Sequence, residues 1–315
     1  MSLTRRILLS ALVSLGLAGP VVADAELSVV ATTGMIADAT REVGGDLVAV
    51  QALMGPGVDP HAYRQTRSDI VAMARADLVL WHGLYLEAQM EEFFEGLADR
   101  TTVVAVADGL PQDALVPHDD YEGRFDPHVW MDPRLWTLVV EEVRDALIKV
   151  APEHEAAFRG NAERYAGELA ELAIYADGVL ETVPDASRVL VTAHDAFNYF
   201  GAAYGFEVLG IQGISTESEA GLRRISELVD VLASRSVRAV FVESSVSDRN
   251  VRALIEGAQA QGHAVEIGGE LYSDAMGEAG AYEGTYLGMI DHNVTTIARA
   301  LGGEAPQDGM VGLLN

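Results

Sequence analysis

Residues 152–184, PEHEAAFRGNAERYAGELAELAIYADGVLETVP, decide the architecture. Pro152 stands where a helix tolerates proline, at its opening, and Pro184 closes the run. Between them His154, Phe158, Tyr165, Leu169, Leu172, Tyr175 and Leu180 recur at mixed three- and four-residue spacing. That is the period of one amphipathic helix. A helix of about 30 residues is far longer than the usual three turns, so it predicts a brace between two parts of the chain.

Both flanks alternate strand and helix. On the amino side, strands are predicted at 27–32, 47–53, 77–81 and 102–106, with helices from 35, over 68–75 and over 87–97. The polar stretch 111–126 reads as a loop. Asp132 and Pro133 then form an N-cap and first-turn pair for a helix reaching about 150. On the carboxyl side, strands are predicted at 188–192, 206–209, 239–243 and 263–267, and helices at 222–233, 249–259 and 286–301. Apolar strands alternating with amphipathic helices predict parallel sheets covered by helices. The expected class is α/β: one lobe over 26–151, the linking helix over 152–184, and a second lobe over 185–315.

Residues 1–25 have the pattern of a secretory leader. Arg5 and Arg6 precede a short apolar run, and Ala23-Asp24-Ala25 offers small residues for cleavage. The run is too short to span a membrane. No cysteine follows it, so no lipoprotein anchor is expected, and an exported, unanchored protein fits a periplasm. The chain has no cysteine at all, so its fold must rest on its core even in an oxidising compartment. A formal net charge of −27 argues against nucleic acid as a partner. Most of that charge is read as solubility, with some attraction for cations.

Without thiolates, a transition-metal site must use imidazole and carboxylate. One tripeptide occurs twice, as Asp59-Pro60-His61 and Asp126-Pro127-His128. Each sets a histidine behind a stiffening proline in a loop, and Asp59 can orient its neighbour's ring. Phe125, Trp130 and Trp136 are expected to wall His128 off from water. His194, in Thr192-Ala193-His194-Asp195, follows a predicted strand, and Asp195 suggests a polar setting for it. Asp274 lies in Tyr272-Ser273-Asp274-Ala275-Met276; alone it would read as a helix cap. Spread across both lobes, His61, His128, His194 and Asp274 form a candidate site in the cleft. His82, His154, His263 and His292 fall in or beside elements and read as structural or solvated. His118, in an acidic loop, reads first as solvated, with a weak collecting site at the cleft mouth as the alternative.

At these residues the chain resembles the metal-binding receptors of bacterial zinc and manganese ABC transporters, the TroA-type (cluster A-I) solute-binding proteins. The blocks that carry the resemblance are 55–63, 125–132, 191–200, 241–245 and 267–288. It implies two lobes on a rigid helix, a metal buried between them, and His61, His128, His194 and Asp274 as its ligands. The expected partner is a membrane permease, with a periplasmic metallochaperone left open as a second, and the receptor is expected to be a monomer without enzymatic activity. Zinc-specialised relatives often carry a histidine-rich loop before the second motif, where this chain has His118 and acids. Three imidazoles and one carboxylate favour Zn(II) as the transported ion, with Mn(II) next. The rivals from other classes are an exported zinc hydrolase and a metal-binding adhesin. The hydrolase reading lacks both an open coordination position and a helical His-Glu-x-x-His motif.

Overall fold

The computed structural model describes residues 27–118 and 123–314, so the leader expected at 1–25 lies outside it. The first lobe holds a four-stranded parallel sheet in the order β2 (Val48–Ala52), β1 (Leu27–Ala31), β3 (Leu78–Trp81), β4 (Thr102–Ala105). The central strands are nearly all apolar because helices cover both of their faces. One face packs on α1 (Gly34–Gly44), which Thr33 caps by accepting the Ile36 N–H. The other packs on α2 (Arg67–Arg75) and α3 (Glu91–Leu97) around Met73, Met90 and Phe94. Thr66 and Asp69 form a reciprocal capping box that starts α2.

The two prolines delimit the long helix as expected. Pro152 opens a 3₁₀ turn that runs into α5 (Glu155–Glu181), 27 residues. That is about 40 Å of rise. Phe158, Ala162, Tyr165, Leu169, Leu172, Ala176 and Val179 are buried against α1, α4 (Pro133–Val150) and α9 (Tyr286–Ala300). Asp132 caps α4 by accepting the Arg134 N–H.

The second lobe contains two parallel pairs. β5 (Val189–Thr192) pairs with β6 (Glu207–Gly210), and β7 (Ala239–Glu243) with β8 (Glu266–Leu271); β5 lies beside β7. α7 (Leu222–Arg235) and α8 (Arg249–Ala260) cover them with a separate apolar cluster. Two details depart from the sequence reading. α6 (Asn198–Tyr204) joins β5 to β6 where no helix was predicted. It is short, and its central Gly201 lets the helix approach the Phe206 carbonyl, 2.7 Å from where a Cβ would sit. The last strand begins at Glu266 rather than 263, and runs through Gly268-Gly269, so His263 precedes it. Side chains at those glycines would collide with Ala300 and Thr296 of α9. The pair marks close helix–sheet packing, not a loop.

One apolar core is continuous through both lobes, from β1 and α1 across α4 and α5 to α6 and α9. Trp136 of α4 stacks on Tyr286 of α9, centroids 5.3 Å apart. Tyr286 donates its hydroxyl to the Trp130 carbonyl at 2.7 Å and its N–H to Asp38 at 2.9 Å. Both rings are fully buried, each worth about 3 kcal/mol or more of apolar burial and stacking. The lobes are therefore joined by packed core rather than by a flexible strand crossing.

Candidate metal centre

His61, His194 and Asp274 leave the carboxyl ends of the parallel strands β2, β5 and β8, where open α/β sheets place their ligands. His128 lies in the connection from β4 to α4, just before a 3₁₀ turn over Val129–Met131. The fold brings these four side chains together, one donor atom from each lying within 4.8 Å of the others. Nε2 of His61 is 3.3 Å from Nε2 of His128. The Asp274 carboxylate faces all three rings, at 3.2 Å from His194, 3.4 Å from His128 and 3.8 Å from His61. All four residues are at most 3% exposed.

In each Asp-Pro-His segment the aspartate accepts the N–H of the histidine two residues on, at 2.9 Å in both loops. This local turn needs no tertiary partner. In the second loop the same Asp126 oxygen also takes Nδ1–H of His128, at 2.6 Å. That bond commits Nδ1 and leaves Nε2 to face the centre. Asp126 is held in turn by Nδ2 of Asn198, at 3.0 Å. Asp59 does not touch its histidine's ring; its other oxygen accepts the Thr216 hydroxyl from the second lobe at 2.5 Å.

His194 is oriented by a residue the sequence reading did not single out. Glu243, the last residue of β7, accepts Nδ1–H of His194 at 2.5 Å and its backbone N–H at 2.9 Å. Asp195, the expected source of polarity, makes no bond to that ring. In the sequence Glu243 shows as a carboxylate ending the apolar run 239–243, inside the block 241–245 that carries part of the resemblance. Asp274 is fixed from the other lobe, where Trp130 donates its indole N–H to the Ser273 carbonyl at 2.7 Å. Among the described residues, the aromatic side chain packed on His128 is Trp130, ring centroids 5.1 Å apart. Trp136 belongs to the stack with Tyr286, and Phe125 packs half-buried on the edge of the core.

Burial in a polar cage makes these groups titrate far from their ordinary values. Burial depresses His61 to about 3, so its imidazole is neutral. Burial also works against charge on His128, but the Asp126 and Asp274 carboxylates outweigh it and raise the ring to about 9. His194 is likewise raised well above 6.5: burial opposes its charge, and Asp274 and Glu243 prevail. Burial would raise Asp274, yet His194 and His128 hold it well below the usual carboxylate range. Nε2 of His194 and both oxygens of Asp274 are nevertheless buried without any hydrogen bond. Buried orphans of this kind are rare and expensive, and three of them aimed at one point suit a cation.

Four of the remaining histidines bond or pack away from the four-residue cluster. His82 donates Nε2–H to the Pro127 carbonyl at 2.7 Å, His263 to Val237 and His292 to Glu270. His154 lies against Phe158. A pocket of about 270 Å³ opens above the centre, lined by His61, Tyr85, His118, Arg124, Ile214 and Glu217. His118 thus stands at the mouth, and His61 is the member of the cluster that the pocket reaches.

Known proteins share this arrangement of sequence and fold. Residues 29–300 match the family model ZnuA, described as zinc-uptake complex component A, periplasmic. The manganese-binding lipoprotein MntA of Bacillus subtilis is 49% identical over 280 residues, covering 89% of this chain and 91% of that protein. The zinc-binding protein TroA of Treponema pallidum is 47% identical over 279 residues, 89% of this chain and 90% of its own. The solved structure of the periplasmic zinc-binding TroA superposes with a TM-score of 0.85 at 46% identity, covering 88% of this chain and 99% of that one. With two α/β lobes, a long linking helix and a match across nearly all of its described length, the chain belongs to the ZnuA family of metal-binding substrate-binding proteins of ABC transporters.

Proposed function

We propose that this protein captures Zn(II) in the periplasm with His61, His128, His194 and Asp274 and delivers it to an inner-membrane ABC permease. The observation that carries the reading is the set of four buried donors within 4.8 Å of one another, three of whose atoms have no hydrogen bond. Three imidazole nitrogens and a carboxylate compose the nitrogen-rich, four-coordinate shell that zinc prefers. Two of the rings have their tautomer fixed by Asp126 and Glu243, which raises ligand basicity. The receptor works as a monomer, and a periplasmic chaperone is compatible with an open mouth above His61.

One observation favours a second reading, transport of Mn(II). Both oxygens of Asp274 face the centre unbonded, so the carboxylate can chelate through both and raise the coordination number that manganese prefers. The MntA relative, named for manganese, is as similar to this chain as the TroA relative named for zinc. A catalytic reading is weaker, because Asp274 takes the coordination position that a hydrolytic zinc leaves to water.

Elemental analysis of protein exported by a bacterial host, followed by titration of the stripped protein with zinc and manganese in competition, tests the assignment. One equivalent of zinc, retained against excess manganese and lost in His194→Ala, is expected. Retention of manganese in preference to zinc selects the second reading, and no retained divalent ion sinks both.

A further inference from the structure

Of the three imidazoles in the cluster, two are held by a carboxylate on the ring and one is not. His128 leans on Asp126 and His194 on Glu243, each pair within one lobe. No carboxylate bonds the His61 ring: its backbone N–H is held by Asp59, and its Nε2 meets Nε2 of His128 at 3.3 Å. The loop that carries it, residues 53–61, contains Gly55 and Gly57 and forms no helix or strand. What steadies Asp59 comes from the opposite lobe: the Thr216 hydroxyl, 2.5 Å from its second oxygen.

Thr216 lies in the connection of residues 211–221 between β6 and α7, which is likewise irregular. This segment sits on the second lobe's own apolar cluster with α7 and α8, outside the core that joins the lobes. It forms one side of the pocket above His61 through Ile214, Ser215 and Glu217. It touches the first lobe through a second side-chain pair as well, Gln89 donating to Glu217 at 2.5 Å. That pair is exposed and reaches no member of the cluster.

We propose that Thr216 is a positioning residue for cargo release: by holding Asp59 it keeps His61 in the coordination sphere. Withdrawal of the 211–221 segment then frees His61 before any other ligand. The proposal rests on the reading that His61, His128, His194 and Asp274 hold the cargo. The chain of bonds runs from the Thr216 hydroxyl through the two Asp59 oxygens to the His61 backbone. It couples closure of the second lobe to the one ligand whose ring no carboxylate fixes. His61 also faces the pocket, so its departure opens the centre on the side where a cation can leave. A permease that pulls the segment away would start release at a single weak point, with the other three donors still in place.

Release of Co(II), used as a spectroscopic probe, into excess chelator by stopped flow tests this on the full mature protein. Loss of a hydrogen bond to a charged group predicts that Thr216→Val releases about tenfold faster than the parent. Thr216→Ala should do the same. Thr216→Ser keeps the hydroxyl and should stay within about twofold of the parent, as should Gln89→Ala, since exposed polar pairs contribute little. At saturation Thr216→Val should retain the parental tetrahedral Co(II) absorption, because all four donors remain. Parental release rates in Thr216→Val and Thr216→Ala with that absorption intact overturn the proposal and leave the ligand assignment standing. Equal acceleration by Gln89→Ala also overturns it, since closure would then act without His61. A parent that binds no Co(II) removes the ligand assignment and the proposal together.

Discussion

Asp59-Pro60-His61 and Asp126-Pro127-His128 are one tripeptide in two settings. The local physics is the same in both: aspartate accepts the histidine N–H at 2.9 Å and proline stiffens the turn between them. The surroundings differ. Asp126 is fully buried, braced by Asn198, and turned so that one oxygen also takes the ring of His128. Asp59 is only partly buried and gives its second oxygen to Thr216 across the cleft. A short motif therefore sets where a histidine's backbone goes, and tertiary contacts decide what its ring can do.

The largest consequence is in protons. His128 is raised to about 9 and His194 well above 6.5, whereas His61 is lowered to about 3. Near neutral pH the metal-free site holds two protons that a cation must displace, and His61 holds none. Below the folded pKa each such proton makes log affinity rise by one per pH unit. Zinc affinity measured by chelator competition should therefore climb by at least about two orders of magnitude from pH 6 to pH 8, the share of His128 by itself. Calorimetry in buffers of different ionisation heat should show about two protons released per ion. A slope below one would mean that the two motifs are protonated alike.

Ligand removal comes next. Structural zinc binding is worth about 10–16 kcal/mol, so each of four ligands carries roughly 3 kcal/mol, about two orders of magnitude in affinity. His61→Ala and His128→Ala should both lose that much, but only one should harm the metal-free fold. Protonated His128 offsets Asp126 in the interior, and removing it leaves that buried carboxylate without its cation, at a cost of about 3 kcal/mol. The favourable pairing is fully present below pH 6.5 and is lost as pH rises through about 9. The denaturant midpoint of His128→Ala should thus fall sharply at pH 6 and much less at pH 9.5. His61→Ala should unfold like the parent at both.

How much of this was legible in the sequence follows the same division between local and tertiary. The long helix announced itself through two prolines and a sustained period, and the strands of the first lobe through unbroken apolar runs such as 78–80. The convergence of His61, His128, His194 and Asp274 could be anticipated because a chain without thiols repeats a rare tripeptide and places polar residues after strands. Glu243 could not, since it sits 49 residues from His194 and meets it only when β5 and β7 lie side by side. Trp136 was misplaced for a related reason. One turn along α4 turns it away from His128 and onto Tyr286, a residue of the far lobe. Gly201 and Gly268-Gly269 are points of close packing that stayed hidden, because a sequence does not show what approaches a glycine.

The smaller effects compare the aspartates themselves. Asp126→Asn exchanges an anionic acceptor for a neutral one at the ring of His128 and lowers the pull that keeps the proton on Nδ1. Loss of such an outer partner typically weakens metal affinity 10–100-fold, and that is the expectation here. Proton release on binding should fall from about two toward one, because His128 loses the neighbour that raises it. Asp59→Asn should be milder at equilibrium. The amide oxygen can still accept the His61 N–H, and no bond to the ring is lost, so affinity should drop by only a few-fold. Proton release should stay at about two, since His61 is neutral in the parent. Isothermal titration of both variants at pH 7 gives affinity and proton count together. Equal losses in the two would show that the repeated tripeptide does the same work twice, and that the ring contact of Asp126 adds nothing to binding.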